Sequence, residues 1–269
     1  MQQAIAIMDS GVGGLTVVKE VMRQLPQEKI LYFGDTARSP YGPRSSEEVR
    51  AFTRQIALFL SDFHLKMLVI ACNTATAVAL EEVRSMVSVP VIGVIYPGAR
   101  AAIKKTSTKF IGVIGTEGTV RSGAYERALQ RVSPGIQVIS QACPRFVPLV
   151  EAGKYDEDEV LEVVQTSLEP LIGLPIDCLI LGCTHYPFLE SSIAKAMGPS
   201  VQLINSAGET AREMSAILQD RGQLAKSELK PQHTFFCSGN HQQFRKIAEQ
   251  WLNIPLDVVP VNWNMAQLI

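Results

Sequence analysis

The sequence predicts an α/β fold: two pseudo-symmetric, doubly wound α/β domains with mainly parallel sheets and a site in the cleft between them. Three observations predict it. Ten short apolar runs are continuous rather than alternating, as strands covered on both faces by helices read. Stretches of helical periodicity fit between nearly all of them. Part of the chain is also repeated, at an offset of a little over a hundred residues.

Taken in order, the strand candidates are Ala4–Met8, Lys29–Phe33, Met67–Ala71, Val91–Val94, Phe110–Ile114, Gln137–Ser140, Cys178–Leu181, Val201–Ile204, Thr234–Cys237 and Leu256–Val259. Between them, Ser45-Ser46-Glu47-Glu48 and Ser206-Ala207-Gly208-Glu209 read as capping-box helix starts. Asp156-Glu157-Asp158-Glu159 puts acid in the first turn of another helix, where the macrodipole favours it. The repeat pairs Leu68-Val69-Ile70-Ala71-Cys72-Asn73-Thr74 with Leu179-Ile180-Leu181-Gly182-Cys183-Thr184-His185. Upstream, Ala4-Ile5-Ala6-Ile7-Met8-Asp9-Ser10-Gly11 pairs with Ile111-Gly112-Val113-Ile114-Gly115-Thr116-Glu117-Gly118 in the same order. Two related halves explain this. The first domain is expected to comprise 1–97 plus 207–269, and the second 98–206.

Composition excludes several classes of function. At 269 residues the chain is long enough for one large domain or two modest ones, each with its own core. Lysine plus arginine (25) nearly balances aspartate plus glutamate (26), so there is no basic excess for nucleic acid. The longest apolar runs fall far short of the ~20 residues a membrane span needs. The N-terminus, MQQAIAIMDSG, has no basic start, long apolar stretch or cleavage site, so no signal peptide and a cytoplasmic location are expected. Five cysteines, Cys72, Cys143, Cys178, Cys183 and Cys237, are odd in number and widely spaced, which fits neither a disulfide framework nor a zinc site. Cys143, Cys178 and Cys237 read as small buried hydrophobes.

Cys72 and Cys183 read differently. Both fall beyond the carboxyl end of a strand, where doubly wound sheets bind ligands. Each is expected at or just before a helix N-terminus, which favours thiolate and lowers the thiol pKa. Two equivalent thiols suit racemisation: one takes the α-proton from one face while the other returns a proton to the opposite face. Hydrolysis or acyl transfer needs only one nucleophile and one dedicated base. Charge developing on a substrate carboxylate calls for donors, and Asn73, Thr74 and Thr184 are in place for this. Asp9, ending the first strand, can tune Cys72 or accept a proton from the substrate ammonium. His185, two residues after Cys183, can tune that thiol.

The run Asp9-Ser10-Gly11-Val12-Gly13-Gly14-Leu15-Thr16 starts like a dinucleotide fingerprint, but Thr16 stands where the third glycine belongs. Asp35, ending the second strand, sits where a ribose-binding acid would, so a nicotinamide enzyme stays open. The run is not a P-loop; its glycines are read as letting the backbone approach a small anion. The long loop Gly34–Pro43 is expected to close over the site, with Ser39, Pro40, Tyr41 and Gly42 near the substrate. Glu151 lies just before Gly153 at a helix end, where a solvated carboxylate is the plain alternative.

Four segments, MDSGVGG (Met8–Gly14), FGDTARSPYG (Phe33–Gly42), ACNTAT (Ala71–Thr76) and GCTHYP (Gly182–Pro187), together resemble the glutamate racemase family, within the wider aspartate/glutamate racemase fold. The resemblance implies a racemase that interconverts L- and D-glutamate without pyridoxal phosphate or any other cofactor, and D-glutamate destined for peptidoglycan. It implies Cys72 and Cys183 as the acid/base pair, with Cys72 acting on the D substrate and Cys183 on the L substrate. Asp9-Ser10, Tyr41-Gly42, Asn73-Thr74 and Thr184-His185 match the family's substrate-binding motifs. Glu151, Thr116 and Thr119 are candidates for support, and no metal is expected. The family is often dimeric, so a homodimer is expected. A racemase of another acidic amino acid such as aspartate, a non-catalytic two-lobed amino-acid-binding protein, and a redox or metal protein remain open alternatives.

Overall fold

A computed structural model describes residues 3–153, 158–226 and 230–263. Its strands are β1 (Ala4–Asp9), β2 (Lys29–Gly34), β3 (Leu65–Ile70), β4 (Val91–Gly93), β5 (Phe110–Gly115), β6 (Gln137–Ala142), β7 (Cys178–Gly182), β8 (Gln202–Ile204), β9 (Thr234–Cys237) and β10 (Val258–Pro260). Its helices are α1 (Leu15–Gln24), α2 (Ser46–Ser61), α3 (Asn73–Met86), α4 (Ile95–Ile103), α5 (Glu117–Arg121), α6 (Ala124–Val132), α7 (Phe146–Glu151), α8 (Asp158–Leu168), α9 (Glu190–Met197), α10 (Ser206–Asp220) and α11 (His241–Leu252).

The strands form two sheets, both parallel throughout. One has six strands in the order β10-β9-β2-β1-β3-β4, the other four in the order β6-β5-β7-β8. The order β2-β1-β3-β4 is therefore repeated as β6-β5-β7-β8. This is the repeat in the sequence expressed as topology: β1 matches β5 and β3 matches β7. The chain returns to the first sheet with β9 and β10.

The inner strands β1, β2, β3, β5 and β7 are buried on both faces, which is why they read as unbroken apolar runs. In β1, Ile5 and Ile7 enter one core while Ala4, Ala6 and Met8 enter the other. In β7, Leu179 and Leu181 face one core and Cys178 and Ile180 the opposite one. The same alternation carries Cys72 onto the side of Leu68 and Ile70, and Cys183 onto the side of Leu179 and Leu181. Cys143, Cys178 and Cys237 are free and buried, as expected.

Two local expectations need correction. The N-cap of α10 is Asn205, not Ser206. Asn205 has extended backbone and its side chain accepts from the Ala207 amide, while Glu209, the would-be box partner, pairs with Arg212 and Lys104. Cys183 does not sit at an α-helix start. A 3-10 turn, Tyr186–Leu189, follows it, and α9 begins only at Glu190. Helix α4 packs its Ile95, Ala99 and Ala102 with Ile111 and Val113 of the second sheet. The capping box at Ser45 forms as expected, with Glu48 bonding back to the Ser45 amide. Of the predicted acidic first turn, Asp156 and Glu157 lie outside the described residues.

A buried ion pair escaped the sequence reading. Lys66 in β3 pairs with Glu28, just before β2, and both are buried. Lys66 Nζ also donates to the Gln223 carbonyl at 2.7 Å, and the Ala225 amide donates to Glu28 Oε1 at 2.8 Å. The pair thus ties the amino-terminal end of the sheet to the segment after α10.

Candidate active site

The carboxyl ends of β1, β3, β5 and β7 converge. The segments that leave them line one small cavity: Ser10 after β1, Cys72, Asn73 and Thr74 after β3, Thr116 after β5, and Cys183, Thr184 and His185 after β7. Ser39, Pro40, Tyr41 and Gly42 close one side and Val147 of α7 another. Both sheets thus contribute, and each contributes one cysteine. The cavity holds about 20 Å³, little more than the ~10–15 Å³ that one water needs. The cavity in this closed structure is smaller than an amino acid.

Glycine permits this closeness. A Cβ on Gly13 would overlap Thr184 and His185, and one on Gly42 would meet Thr116 Cβ at 2.8 Å. The Gly118 amide donates to the Gly42 carbonyl at 2.9 Å, joining the loop after β2 to the start of α5. The glycine cluster after β1 therefore serves contact between the halves. It also holds the Asp9 carboxyl, whose Oδ2 accepts from the Gly11 amide at 2.9 Å.

Cys72 is the N-cap of α3. Its thiol donates toward Ser10 Oγ at 3.7 Å. The expectation of a lowered pKa is overturned here. Burial, and then repulsion from Asp9, push the thiol up to about 12, against the backbone N–H of Ala75. In a dry pocket, desolvation of a thiolate outweighs one helix terminus. Burial likewise raises the Asp9 carboxyl, opposed by His185 and the Gly11 amide. Thr184 Oγ1 stands 3.5 Å from Asp9 Oδ1.

Cys183 has other company. His185 Nδ1 lies 3.8 Å from its Sγ. Glu151 Oε1 lies 3.3 Å from His185 Nε2, within ion-pair range. Burial alone would lower the His185 pKa. Hydrogen bonding to Cys183 and Glu151 and attraction to Cys183 and Asp9 outweigh it, and the imidazole is pushed up to about 10. The shift favours the imidazolium over the neutral ring. The Glu151 side chain is 38% exposed, so it meets solvent as well as His185.

Two buried donors point to a ligand. Asn73 Oδ1 is held by the Tyr125 hydroxyl at 2.7 Å, yet its Nδ2 has no partner among the described residues. Ser39 Oγ is also buried and unpartnered among them. Thr74 Oγ1 shares hydrogen bonds with Thr116 Oγ1 (2.9 Å) and Thr119 Oγ1 (3.2 Å). Thr119 supports this hydroxyl cluster from behind and does not line the cavity. Tyr41 lines it, but its hydroxyl donates to Asp35. Asp35 is buried and engaged by Arg38, Ser238 and Trp263 as well, so it anchors the loop and offers nothing to a ribose. Val147 and Tyr125 were missed by the sequence reading, since an apolar helix residue and a buried tyrosine carry no local signal of site membership. Among the described residues no three His, Cys, Asp or Glu side chains are grouped to hold a metal ion, and no helix is long and apolar enough to cross a membrane.

This geometry has close relatives. A sequence model of the Asp/Glu/Hydantoin racemase family matches residues 5–214. A glutamate racemase of Bacillus cereus is 53% identical over 259 residues, covering 96% of each chain. A crystal structure of a glutamate racemase isoform from Bacillus anthracis superposes with a TM-score of 0.94 at 51% identity, covering 97% of each chain. One of the Francisella tularensis glutamate racemase, in complex with D-glutamate, superposes at 0.91 with 34% identity and 98% of each chain covered. By sequence and by fold alike, the chain belongs to the Asp/Glu/hydantoin racemase family, among its glutamate racemases.

Proposed function

We propose that this racemase interconverts L- and D-glutamate by a two-base proton transfer between Cys72 and Cys183, without pyridoxal phosphate. The observation that carries the proposal is the single closed cavity to which each half contributes one cysteine. Asn73, Thr74 and Thr184, with Ser39, supply hydrogen bonds to the substrate carboxylates. These bonds strengthen as charge spreads onto the α-carboxylate in the transition state. Cys183 removes the α-proton of L-glutamate while Cys72, a neutral thiol at rest, gives its proton to the opposite face. For D-glutamate the roles exchange. His185, held by Glu151, places a positive charge beside Cys183, and Asp9 places a carboxyl beside Cys72.

The remaining parts of the proposal are the division into domains 1–97 plus 207–269 and 98–206, a homodimeric assembly, a cytoplasmic location and a supply of D-glutamate to peptidoglycan. The two sheets with one repeated strand order support the division. An aspartate substrate is the second reading, and the identity to glutamate racemases argues against it.

Circular dichroism of L-glutamate incubated with the purified protein and no added cofactor tests the reaction. The optical signal should decay to zero with total glutamate unchanged. A stable signal, or decay with aspartate only, would overturn it.

A further inference from the structure

The loop that walls the cavity is anchored from an unexpected place, the last described residue of the chain. Asp35 begins the loop, and its two carboxylate oxygens divide the work. Oδ2 accepts from Arg38 Nε at 2.7 Å and from the Tyr41 hydroxyl. Oδ1 accepts from the Ser238 hydroxyl at 2.7 Å and from the Trp263 indole N–H at 3.1 Å. The guanidinium of Arg38 lies between two rings, 4.3 Å from the centroid of Phe52 in α2 and 4.5 Å from that of Trp263. Arg38 Nη1 is bonded to Gln55 of α2, and the Arg38 carbonyl accepts from Arg44 Nε at 2.8 Å. Trp263 itself is seated on Phe33 and Phe59, with ring centroids 5.4 and 6.3 Å away.

Trp263 lines no part of the cavity, but it touches both groups that fix the loop, the carboxylate and the guanidinium. Between those two groups and Gly42 lie Ser39, Pro40 and Tyr41, which all line the cavity. At its far end the loop meets the second half of the molecule through the Gly118 amide. We infer that Trp263 is a positioning residue: through Asp35 and Arg38 it holds the Ser39–Gly42 wall in the closed conformation that grips the substrate. The inference rests on the glutamate site proposed above. A wall held before binding reduces the ordering that the substrate must otherwise impose, so its loss weakens binding more than it slows proton transfer.

The test compares full-length wild type, Trp263→Ala, Trp263→Phe and, as a control, Lys66→Ala, which loosens the same sheet at its opposite end. Two quantities are read: KM and kcat for racemisation of each enantiomer, and the rate at which iodoacetamide alkylates Cys72, followed by peptide mass spectrometry. Trp263→Ala should raise KM about tenfold with kcat within about threefold of wild type, and should speed Cys72 alkylation by about the same tenfold as the wall opens. Trp263→Phe keeps a ring over Arg38 and loses only the indole hydrogen bond, so KM and the alkylation rate should each rise by about threefold rather than tenfold. Lys66→Ala should lower the melting temperature and leave both unchanged. If Trp263→Ala lowers the melting temperature but moves neither KM nor alkylation, the positioning role is wrong. If wild type does not racemise glutamate, the proposed reaction fails instead, and the alkylation rates still decide the role of Trp263. Should Trp263→Ala not fold, an alkylation rate in Trp263→Phe equal to wild type overturns the inference, and a rise of about threefold supports it.

Discussion

Cys72 and Cys183 occupy matched positions in a repeated structure but face unlike neighbours, a carboxyl on one side and an imidazolium on the other. Replacing either by serine removes one acid/base partner and should lower kcat/KM for racemisation by ~10²–10⁴. The loss should be equal in both directions, because the enantiomers are equal in energy and the ratio of the two kcat/KM values is fixed at one. The asymmetry should appear instead in α-proton exchange with deuterated water. Cys72→Ser should retain exchange of L-glutamate and Cys183→Ser that of D-glutamate; full racemisation by either variant would contradict the paired thiols. His185 carries a second prediction. Its folded pKa, about 10, is above its ordinary value of 6.5. Its contribution to stability is therefore whole below pH 6.5 and lost as pH rises through 10. The wild-type urea midpoint, measured against that of His185→Asn, should lose its advantage across that window; a constant difference would show that the imidazole is neutral in the folded protein. The cysteines and His185 could be read from sequence by repeat and spacing. The sign of the Cys72 shift could not, because it depends on how dry the pocket is.

Among the secondary-structure elements, all ten strand candidates formed, with ends displaced by one or two residues. Strands buried on both faces leave a strong apolar signal, and their ends are set by hydrogen-bond register instead. Caps were less legible. Ser45 and Asn205 both cap helices, yet only the first was predicted, since in Ile204-Asn205-Ser206 two adjacent residues are competent caps and the strand before them decides which is extended. Ser45→Ala should cost ~1 kcal/mol in urea unfolding. The Glu28–Lys66 pair had no signature, because its members are far apart in sequence and each looks like an ordinary surface charge. Removing one partner leaves a buried charge uncompensated, so Lys66→Ala should destabilise by ~3–5 kcal/mol. A midpoint equal to wild type would mean that water reaches Glu28.

On the scale of the whole molecule, the site exists only because two sheets present their carboxyl ends to one another, with glycines where the halves touch. Gly13→Ala should strain that contact and destabilise by only ~1–3 kcal/mol, but lower kcat/KM by ~10², since a misplacement of about 1 Å is enough. Unchanged activity would show that the halves do not need to approach so closely. The sequence by itself determined the strands, the twofold repeat, the two cysteines at equivalent points and the residues flanking them, because these are local patterns of polarity and spacing. Only the tertiary structure decided how dry the cleft is, which charge stands beside which thiol, and that Asp35 and Trp263 hold the loop. Desolvation and pairing depend on what the chain brings together from distant positions, and one strand's sequence carries no trace of its neighbour's.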